Sequence, residues 1–139
     1  ARSAALPAPL RLRYRTERFL DGGKMEEALV AADALLGRAG ASTVAEAAAA
    51  GLPSIIVPYP FASGHQRANA EALAAAGGAI VVEDADFTAR TLIDAVGTLE
   101  DATVRARVGA AARSVARPDA ADRIARLVIA IAEGRDDAE

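Results

Sequence analysis

The sequence predicts an α/β fold in which helices flank a Rossmann-like parallel sheet. Two observations support this prediction. Residues 79–82, and residues 55–57 of the predicted strand at 54–57, are consecutive apolar residues rather than alternating ones, which is typical of strands covered on both faces. Segments of helical composition separate these runs, and strands that alternate with helices are typical of parallel sheets. We therefore expect a parallel sheet with helices on its faces.

The first elements predicted are a strand, a helix and a second strand. In residues 10–19, apolar or aromatic side chains alternate with arginine over part of the length, which favours a strand with one solvated face. Residues 21–23, Asp-Gly-Gly, form a turn signal. Residues 25–32 have helical composition, and we interpret residues 33–37 as a short buried strand.

A second helix is predicted at residues 43–50, after a glycine-containing loop at residues 38–40. Gly51 and Pro53 are expected to end this helix, because glycine suits the left-handed end residue and proline cannot continue the hydrogen-bond ladder. The buried strand at residues 54–57 follows directly.

The remainder of the chain is predicted to be mostly helical. A helix at residues 65–76 precedes the strand at 79–82, and each later helix begins with threonine or aspartate, the residues that favour helix starts. These later helices are predicted at residues 88–99, 101–115 and 119–133, followed by a solvated tail at 134–139.

Composition limits the possible functions. The 139 residues suit one domain, and the net charge of −3 argues against nucleic-acid binding, which requires a concentrated basic face. There is no cysteine and only one histidine, His65, so we expect no metal centre and no cofactor. No apolar run approaches the roughly 20 residues of a membrane span, so any membrane contact is expected to be peripheral. The absence of cysteine suits a cytosolic protein.

The first candidate site is the loop and helix start after the strand at 33–37. A helix start offers unpaired N–H groups and a positive dipole end to a phosphate. Glu46, predicted in the first helical turn, has a carboxylate that can accept hydrogen bonds from ribose hydroxyls. Thr43 and Glu46 also fit a capping box, in which both side chains satisfy the helix start itself. Both interpretations of Glu46 remain open at this point.

The second candidate site begins the helix at 65–76. His65, Gln66 and Asn69 follow a proline-rich loop, near the carboxyl end of a strand where open α/β sheets bind ligands. Gln66 and Asn69 lie three residues apart and share a helix face, and their amides can donate to and accept from sugar hydroxyls. The alternative is that these three residues are a helix start exposed to solvent.

A third pair of polar residues, Asp84 and Asp86, has the D-x-D spacing that can hold a divalent metal. The pair directly precedes Thr88 and a predicted helix. Acidic residues are common at turns and helix starts, so we interpret the pair as a turn.

Three motifs together carry a family resemblance. They are R-A-G-A-x-T-x-x-E from Arg38, G-L-P-x-I-x-V-P-x-P from Gly51, and H-Q-x-x-N-A from His65. In this order and spacing they resemble the nucleotide-sugar-binding half of the MurG family, the bacterial peptidoglycan glycosyltransferases that add N-acetylglucosamine to lipid I. The similarity extends to about Glu133.

The resemblance implies the carboxyl-terminal half of a GT-B glycosyltransferase, with a donor site for UDP-N-acetylglucosamine (UDP-GlcNAc). It places no catalytic residue and no metal in this chain. It implies that the diphosphate contacts Gly40, Ala41, Ser42 and Thr43, and that the ribose contacts Glu46. The N-acetylglucosamine is expected to contact Gln66, with His65 and Asn69 nearby. The uracil is expected to lie against Phe19, Leu20 and Asp21, with Met25 close to it.

The sequence also departs from the family pattern. The family's first strand and its G-G-S-x-G-A loop are absent, as is its amino-terminal domain, which receives lipid I, meets the membrane and contributes the candidate catalytic base. Gly22 and Gly23 belong to a segment longer than in the family, at the expected uracil contact. We therefore expect weak donor binding and no catalysis from these residues alone. In the full-length protein, the resemblance implies a cytoplasmic location, peripheral on the inner face of the membrane.

Two alternatives remain. The chain could be a noncatalytic nucleotide-binding or structural module, in which Thr43 and Glu46 only cap a helix. It could also be the donor domain of a related GT-B transferase that uses another UDP-sugar and another lipid acceptor, because contacts to ribose and diphosphate do not specify the sugar.

Overall fold

A computed structural model describes residues 6–61 and 64–135. Its strands are β1 (Leu35–Gly37), β2 (Ser54–Ile56) and β3 (Ala79–Val81). They form one parallel sheet in the order β1-β2-β3, in which Ile55 lies between Leu36 and Ile80. The predicted parallel sheet is confirmed, and its three strands fall within the predicted ranges. The burial predicted for residues 33–37 is wrong, because β1 lies at the edge of the described sheet and Leu36 is 46% exposed.

Helices connect and follow the strands. A 3₁₀ turn, Asp84–Asp86, links β3 to the purely helical last third. The predicted tail at 134–139 lies mostly outside the described residues, since only its first two members belong to them. The helices of the described part are α1 (Ala8–Arg11), α2 (Gly22–Ala31), α3 (Ala41–Ala50), α4 (His65–Ala75), α5 (Ala89–Glu100), α6 (Ala102–Ser114) and α7 (Ala120–Ala132).

The core has a layer on each face of the sheet. Successive strand residues point to opposite faces, so Ile55 packs toward α5 and α6 while Ile56 packs toward α3 and α4. Because both faces of β2 are covered, Ile55 and Ile56 are consecutive apolar residues, and the buried Ser54 hydroxyl donates to the Leu52 carbonyl at 2.9 Å. The first layer includes Ile55, Ile80, Ala95, Leu99 and Val108, and the second includes Ala39, Val44, Ile56, Ala70 and Val81.

The end of α3 forms as the sequence predicts. Gly51 adopts the left-handed conformation with φ 64°, and the Leu52 N–H donates to the Ala47 carbonyl at 2.9 Å. The Arg113 guanidinium, from α6, donates to the Ala50 carbonyl at 2.6 Å. Thus α3 is closed at its carboxyl end by a left-handed glycine and by a cation, and the cation suits the negative end of the helix dipole.

The strand predicted at residues 10–19 is wrong. Pro7 precedes the short helix α1, and irregular backbone follows it as far as Asp21. Leu12, Tyr14 and Phe19 are exposed, and this segment pairs with no strand in the described part of the chain. An alternating pattern gives a stable strand only when a neighbour takes its backbone hydrogen bonds.

Gly22 and Gly23, predicted to form a turn, are the first two residues of α2. Asp21 caps the helix by accepting from the Lys24 N–H at 3.1 Å, so α2 begins at Gly22 instead of residue 25. Glycine lowers helix propensity, but a side-chain cap offsets that cost at the first turn.

Candidate functional site

The three parallel strands end at one edge of the sheet. The β1–α3 loop (residues 38–40), the described residues of the β2–α4 loop (57–61 and 64) and the β3–α5 loop (82–88) therefore converge there. Open α/β sheets bind ligands outside the carboxyl ends of their strands. Both candidate sites from the sequence lie at this edge.

The helix start at α3 carries no side-chain cap. Gly40 is the N-cap residue, and its carbonyl accepts the first helical bond from the Val44 N–H at 3.0 Å. The N–H groups of Ala41, Ser42 and Thr43 therefore have no partner within the helix. A Cβ at Gly40 would meet only the Thr43 hydroxyl, at 3.7 Å, so the backbone is open to a ligand.

The capping box predicted from Thr43 and Glu46 is wrong. Because α3 begins at Ala41 rather than residue 43, Thr43 is its third residue and Glu46 its sixth. A capping glutamate must occupy the third position to reach back to the N-cap N–H. Glu46 is exposed and has no hydrogen bond or ion pair among the residues described. Its carboxylate is free for another partner.

The start of α4 also lacks a side-chain cap. Its N-cap is Gly64, with φ 79°. By contrast, Asp21, Thr88 and Asp101 cap α2, α5 and α6 through their side chains, whereas Asp119 makes no such bond at α7. At the edge of the sheet, two helix starts are therefore left to a ligand or to solvent.

The second candidate site, His65, Gln66 and Asn69, contacts two of the loops at the sheet edge. His65 is exposed. Gln66 accepts a hydrogen bond from the Tyr59 N–H through Oε1 at 2.9 Å. Asn69 is half-buried and its Nδ2 donates to the Ala39 carbonyl at 3.0 Å. The structure therefore brings Asn69 against the β1–α3 loop of the first candidate site, where its amide N–H₂ group contacts the backbone.

Arg38, which the sequence marks only as the first residue of a motif, has a central position at this edge of the sheet. Its Nη1 donates to the carbonyls of Val57 and Pro58, each at 3.3 Å, and pairs with the Asp84 carboxylate. Its Cζ lies 5.5 Å from the centroid of the Tyr59 ring. A charged residue directly after a strand was the available signal in the sequence, but the partners of Arg38 are distant in sequence.

A second arginine at this edge, Arg67, joins α4 to the β3–α5 loop. Its Nη2 lies 2.8 Å from Glu83 Oε2, and its Nη1 lies 3.4 Å from Glu71 Oε1. Asp84, predicted to belong to a turn, forms the 3₁₀ turn and pairs with Arg38. Among the residues described, no group of three or more metal-ligating side chains lies together.

The residues expected at the uracil are set apart from this cluster. Leu20 is half-buried before α2, and Met25 is exposed on the first turn of that helix. Phe19 and Leu20 line a cavity together with Lys24 of α2, and α2 packs beside α3, the helix that carries Glu46.

A parallel sheet with uncapped helix starts and polar side chains at its carboxyl edge defines a Rossmann-like ligand-binding domain. Residues 12–124 match the family described as the glycosyltransferase family 28 C-terminal domain, and the chain belongs to this family. The resemblance to MurG found in the sequence is thereby confirmed. Within the described residues, no helix is long and apolar enough to cross a membrane.

Curated relatives share this region. The UDP-N-acetylglucosamine–N-acetylmuramyl-(pentapeptide) pyrophosphoryl-undecaprenol N-acetylglucosamine transferase of Clavibacter sepedonicus is 44% identical over 84% of this chain and 31% of its own length. The protein of the same name from Mycobacterium bovis is 46% identical over 84% of this chain and 28% of its own. The chain thus spans about a third of the length of these relatives.

Solved structures agree with this assignment. Acinetobacter baumannii MurG superposes with a TM-score of 0.74 at 33% identity, covering 81% of this chain and 34% of that one. The spinosyn forosaminyltransferase SpnP superposes with a TM-score of 0.58 at 23% identity, covering 84% of this chain and 33% of that one. The second likeness shows the fold alone.

Proposed function

We propose that this chain is the donor-binding domain of an inverting GT-B glycosyltransferase that uses UDP-GlcNAc and converts lipid I to lipid II in peptidoglycan synthesis. The observation that carries the proposal is the uncapped start of α3 beside the unpartnered carboxylate of Glu46. Membership of the family supports the same assignment.

The diphosphate binds at the start of α3. The free N–H groups of Ala41, Ser42 and Thr43 and the positive end of the helix dipole suit a dianionic group. Gly40 lets the phosphates approach the backbone closely, because it has no side chain.

The uridine binds beside the same helix. Glu46 is one turn further along α3 and accepts hydrogen bonds from the two ribose hydroxyls. This role suits a carboxylate that neither caps the helix nor pairs with a cation in the described part of the chain. The uracil lies toward Leu20 and Met25, near the start of α2.

The N-acetylglucosamine lies at the start of α4. Gln66 uses Oε1 to hold the Tyr59 N–H, which leaves its amide N–H₂ group to donate to a sugar hydroxyl. His65 is exposed beside it. Asn69 supplies its remaining amide oxygen, since its nitrogen is bound to the Ala39 carbonyl.

These contacts assist the departure of UDP. As the C4 hydroxyl of the N-acetylmuramoyl unit attacks the sugar C1, negative charge develops on the diphosphate, and the N–H groups of α3 stabilise it. The general base and the lipid I site belong to the amino-terminal domain of the full-length enzyme. That enzyme acts in the cytoplasm, peripherally on the inner face of the cell membrane.

Calorimetric titration tests the proposal. UDP-GlcNAc and UDP-glucose are titrated into the 139-residue chain, into Glu46→Ala, and into Glu100→Ala as a matched loss of an exposed carboxylate on α5. We expect UDP-GlcNAc to bind more tightly than UDP-glucose, and Glu46→Ala alone to lose most of the affinity.

Two results would contradict this proposal. A folded chain that binds neither nucleotide sugar would favour the noncatalytic module. Equal binding of both sugars would favour a related transferase with a different donor. Circular dichroism of each variant separates a lost contact from a lost fold.

A further inference from the structure

We propose that Arg38 is a positioning residue that holds the β1–α3 loop in place for the donor diphosphate without binding the phosphates itself. This inference rests on the proposed function, because it concerns the same helix start. An arginine beside a phosphate-binding loop is ordinarily expected to form a direct ion pair with the phosphate. The role proposed for Arg38 is different.

The contacts of Arg38 join all three loops at the sheet edge. The side chain leaves the β1–α3 loop, donates to the Val57 and Pro58 carbonyls of the β2–α4 loop, and pairs with Asp84 of the β3–α5 loop. The backbone of Arg38 stands two residues before Gly40, the N-cap of α3. A shift of Arg38 therefore moves the helix start with it.

The shape of the guanidinium suits this task. It offers several N–H donors in one plane, and its Cζ lies over the Tyr59 ring, 5.5 Å from the centroid. The Tyr59 N–H in turn binds Gln66 at the start of α4, at 2.9 Å. Arg38 thus connects the uncapped starts of α3 and α4 through Tyr59. A lysine could not replace it fully, because an ammonium group has no planar face.

The same contacts make Arg38 a poor phosphate ligand. Asp84 neutralises its charge, and a diphosphate that approached the guanidinium would also approach that carboxylate and be repelled. The side chains of Arg38 and Asp84 are 49% and 37% exposed, so the pair contributes little to the stability of the fold. Its effect is therefore expected in ligand geometry rather than in the unfolding temperature.

Comparing UDP with UMP isolates this effect. UDP reaches the α3 start with its second phosphate, so the preference for UDP over UMP reports how well that helix start is placed. We expect Arg38→Ala and Arg38→Lys each to lower this preference by about tenfold, because small misplacements of a binding group are costly. The unfolding temperature should change little.

Asp84→Ala separates positioning from direct binding. If Arg38 positions the loop, Asp84→Ala also lowers the preference for UDP, and Arg38→Ala/Asp84→Ala is no worse than Arg38→Ala, because both changes remove one interaction. If Arg38 is a phosphate ligand, Asp84→Ala removes a repelling charge and raises UDP affinity, which overturns the inference. Arg90→Ala, which breaks an exposed pair with Asp94 on α5, is the matched control and should change nothing.

The remaining outcomes are also decisive. Equal weakening of UDP and UMP together with a lower unfolding temperature in Arg38→Ala indicates general loss of structure and overturns the inference. Unchanged binding in Arg38→Ala, with binding lost in Glu46→Ala, overturns the inference and leaves the proposed function intact. If the unaltered folded chain binds no UDP, the proposed function fails, and this inference fails with it.

Discussion

Asn69 on α4 donates from Nδ2 to the main-chain carbonyl of Ala39, at 3.0 Å across 30 residues of sequence. Ala39 is fully buried and stands just before Gly40, the N-cap of α3. This bond therefore fixes the distance between the starts of α3 and α4, the two uncapped helix starts at the carboxyl edge of the sheet. In the proposed function, the start of α3 binds the diphosphate and the start of α4 binds the N-acetylglucosamine.

We predict that Asn69→Asp weakens UDP binding several-fold and costs about 1–3 kcal/mol of unfolding free energy, because a carboxylate cannot donate to the buried Ala39 carbonyl. Calorimetry and urea denaturation measure the two effects. Glu100→Ala is the control, since it removes an exposed side chain at the carboxyl end of α5 and touches neither helix start. An Asn69→Asp variant as stable and as tightly binding as the unaltered chain would show that the bond does not hold the loop.

We predict that Glu46→Ala changes the unfolding free energy by less than about 0.5 kcal/mol, as is usual for an exposed residue without a partner. Thr88→Ala is the comparison, because the Thr88 hydroxyl accepts from the Thr91 N–H at 3.2 Å and caps α5. Its loss should cost about 1 kcal/mol. Urea denaturation of both variants decides the matter: a Glu46→Ala cost equal to that of Thr88→Ala would restore the capping role.

Features fixed by local chemistry were predictable from the sequence. The apolar run of β2 predicted a strand covered on both faces, and α5 and α6 cover one of these faces. Gly51 predicted the end of α3, and Thr88 and Asp101 predicted the starts of α5 and α6. In each case a few neighbouring residues determine the conformation.

Features that depend on distant partners were not predictable. The segment at residues 10–19 has a strand pattern, but no strand of the described chain pairs with it. Thr43 and Glu46 have the spacing of a capping box, yet α3 starts at Ala41 and removes them from the required positions. Arg38 meets Asp84 across 46 residues, a contact that only the parallel order of the strands creates.

The cap of α6 predicts a pH dependence of stability. The N–H groups of Val104 and Thr103 donate to Asp101 and lower its pKa below the ordinary value of 3.8. A carboxylate whose pKa is lowered in the folded state stabilises the fold above its unfolded pKa. That contribution is lost as the pH falls through the folded pKa.

We therefore predict that the unfolding free energy of Asp101→Asn falls less steeply than that of the unaltered chain as the pH drops from about 5 to about 3. Asparagine keeps an oxygen for the cap but does not titrate in this range. Urea denaturation at a series of pH values measures both slopes. The other carboxylates are shared by both proteins, so parallel slopes would mean that Asp101 contributes no pH-dependent stability.

Gly78 and Gly97 provide a matched pair of glycine-to-alanine substitutions. A Cβ on Gly78 would lie 2.6 Å from Ala112 Cα and 2.8 Å from Ala112 N, in the backbone of α6, whereas a Cβ on Gly97 meets nothing within 4 Å. We predict that Gly78→Ala costs about 1–3 kcal/mol, because backbone must move to admit the methyl group. Gly97→Ala, within α5, should gain about 0.5–1 kcal/mol from helix propensity.

Thermal or urea unfolding measures both changes. If Gly78→Ala left the unfolding free energy unchanged, α6 would lie further from the α4–β3 connection than it does in the structure. Gly78 directly precedes β3, at the end of the sheet opposite the converging loops. The destabilised variant should therefore bind UDP normally while it remains folded. If folded Gly78→Ala lost UDP binding, the displacement of α6 would have to shift β3 and the loop that follows it.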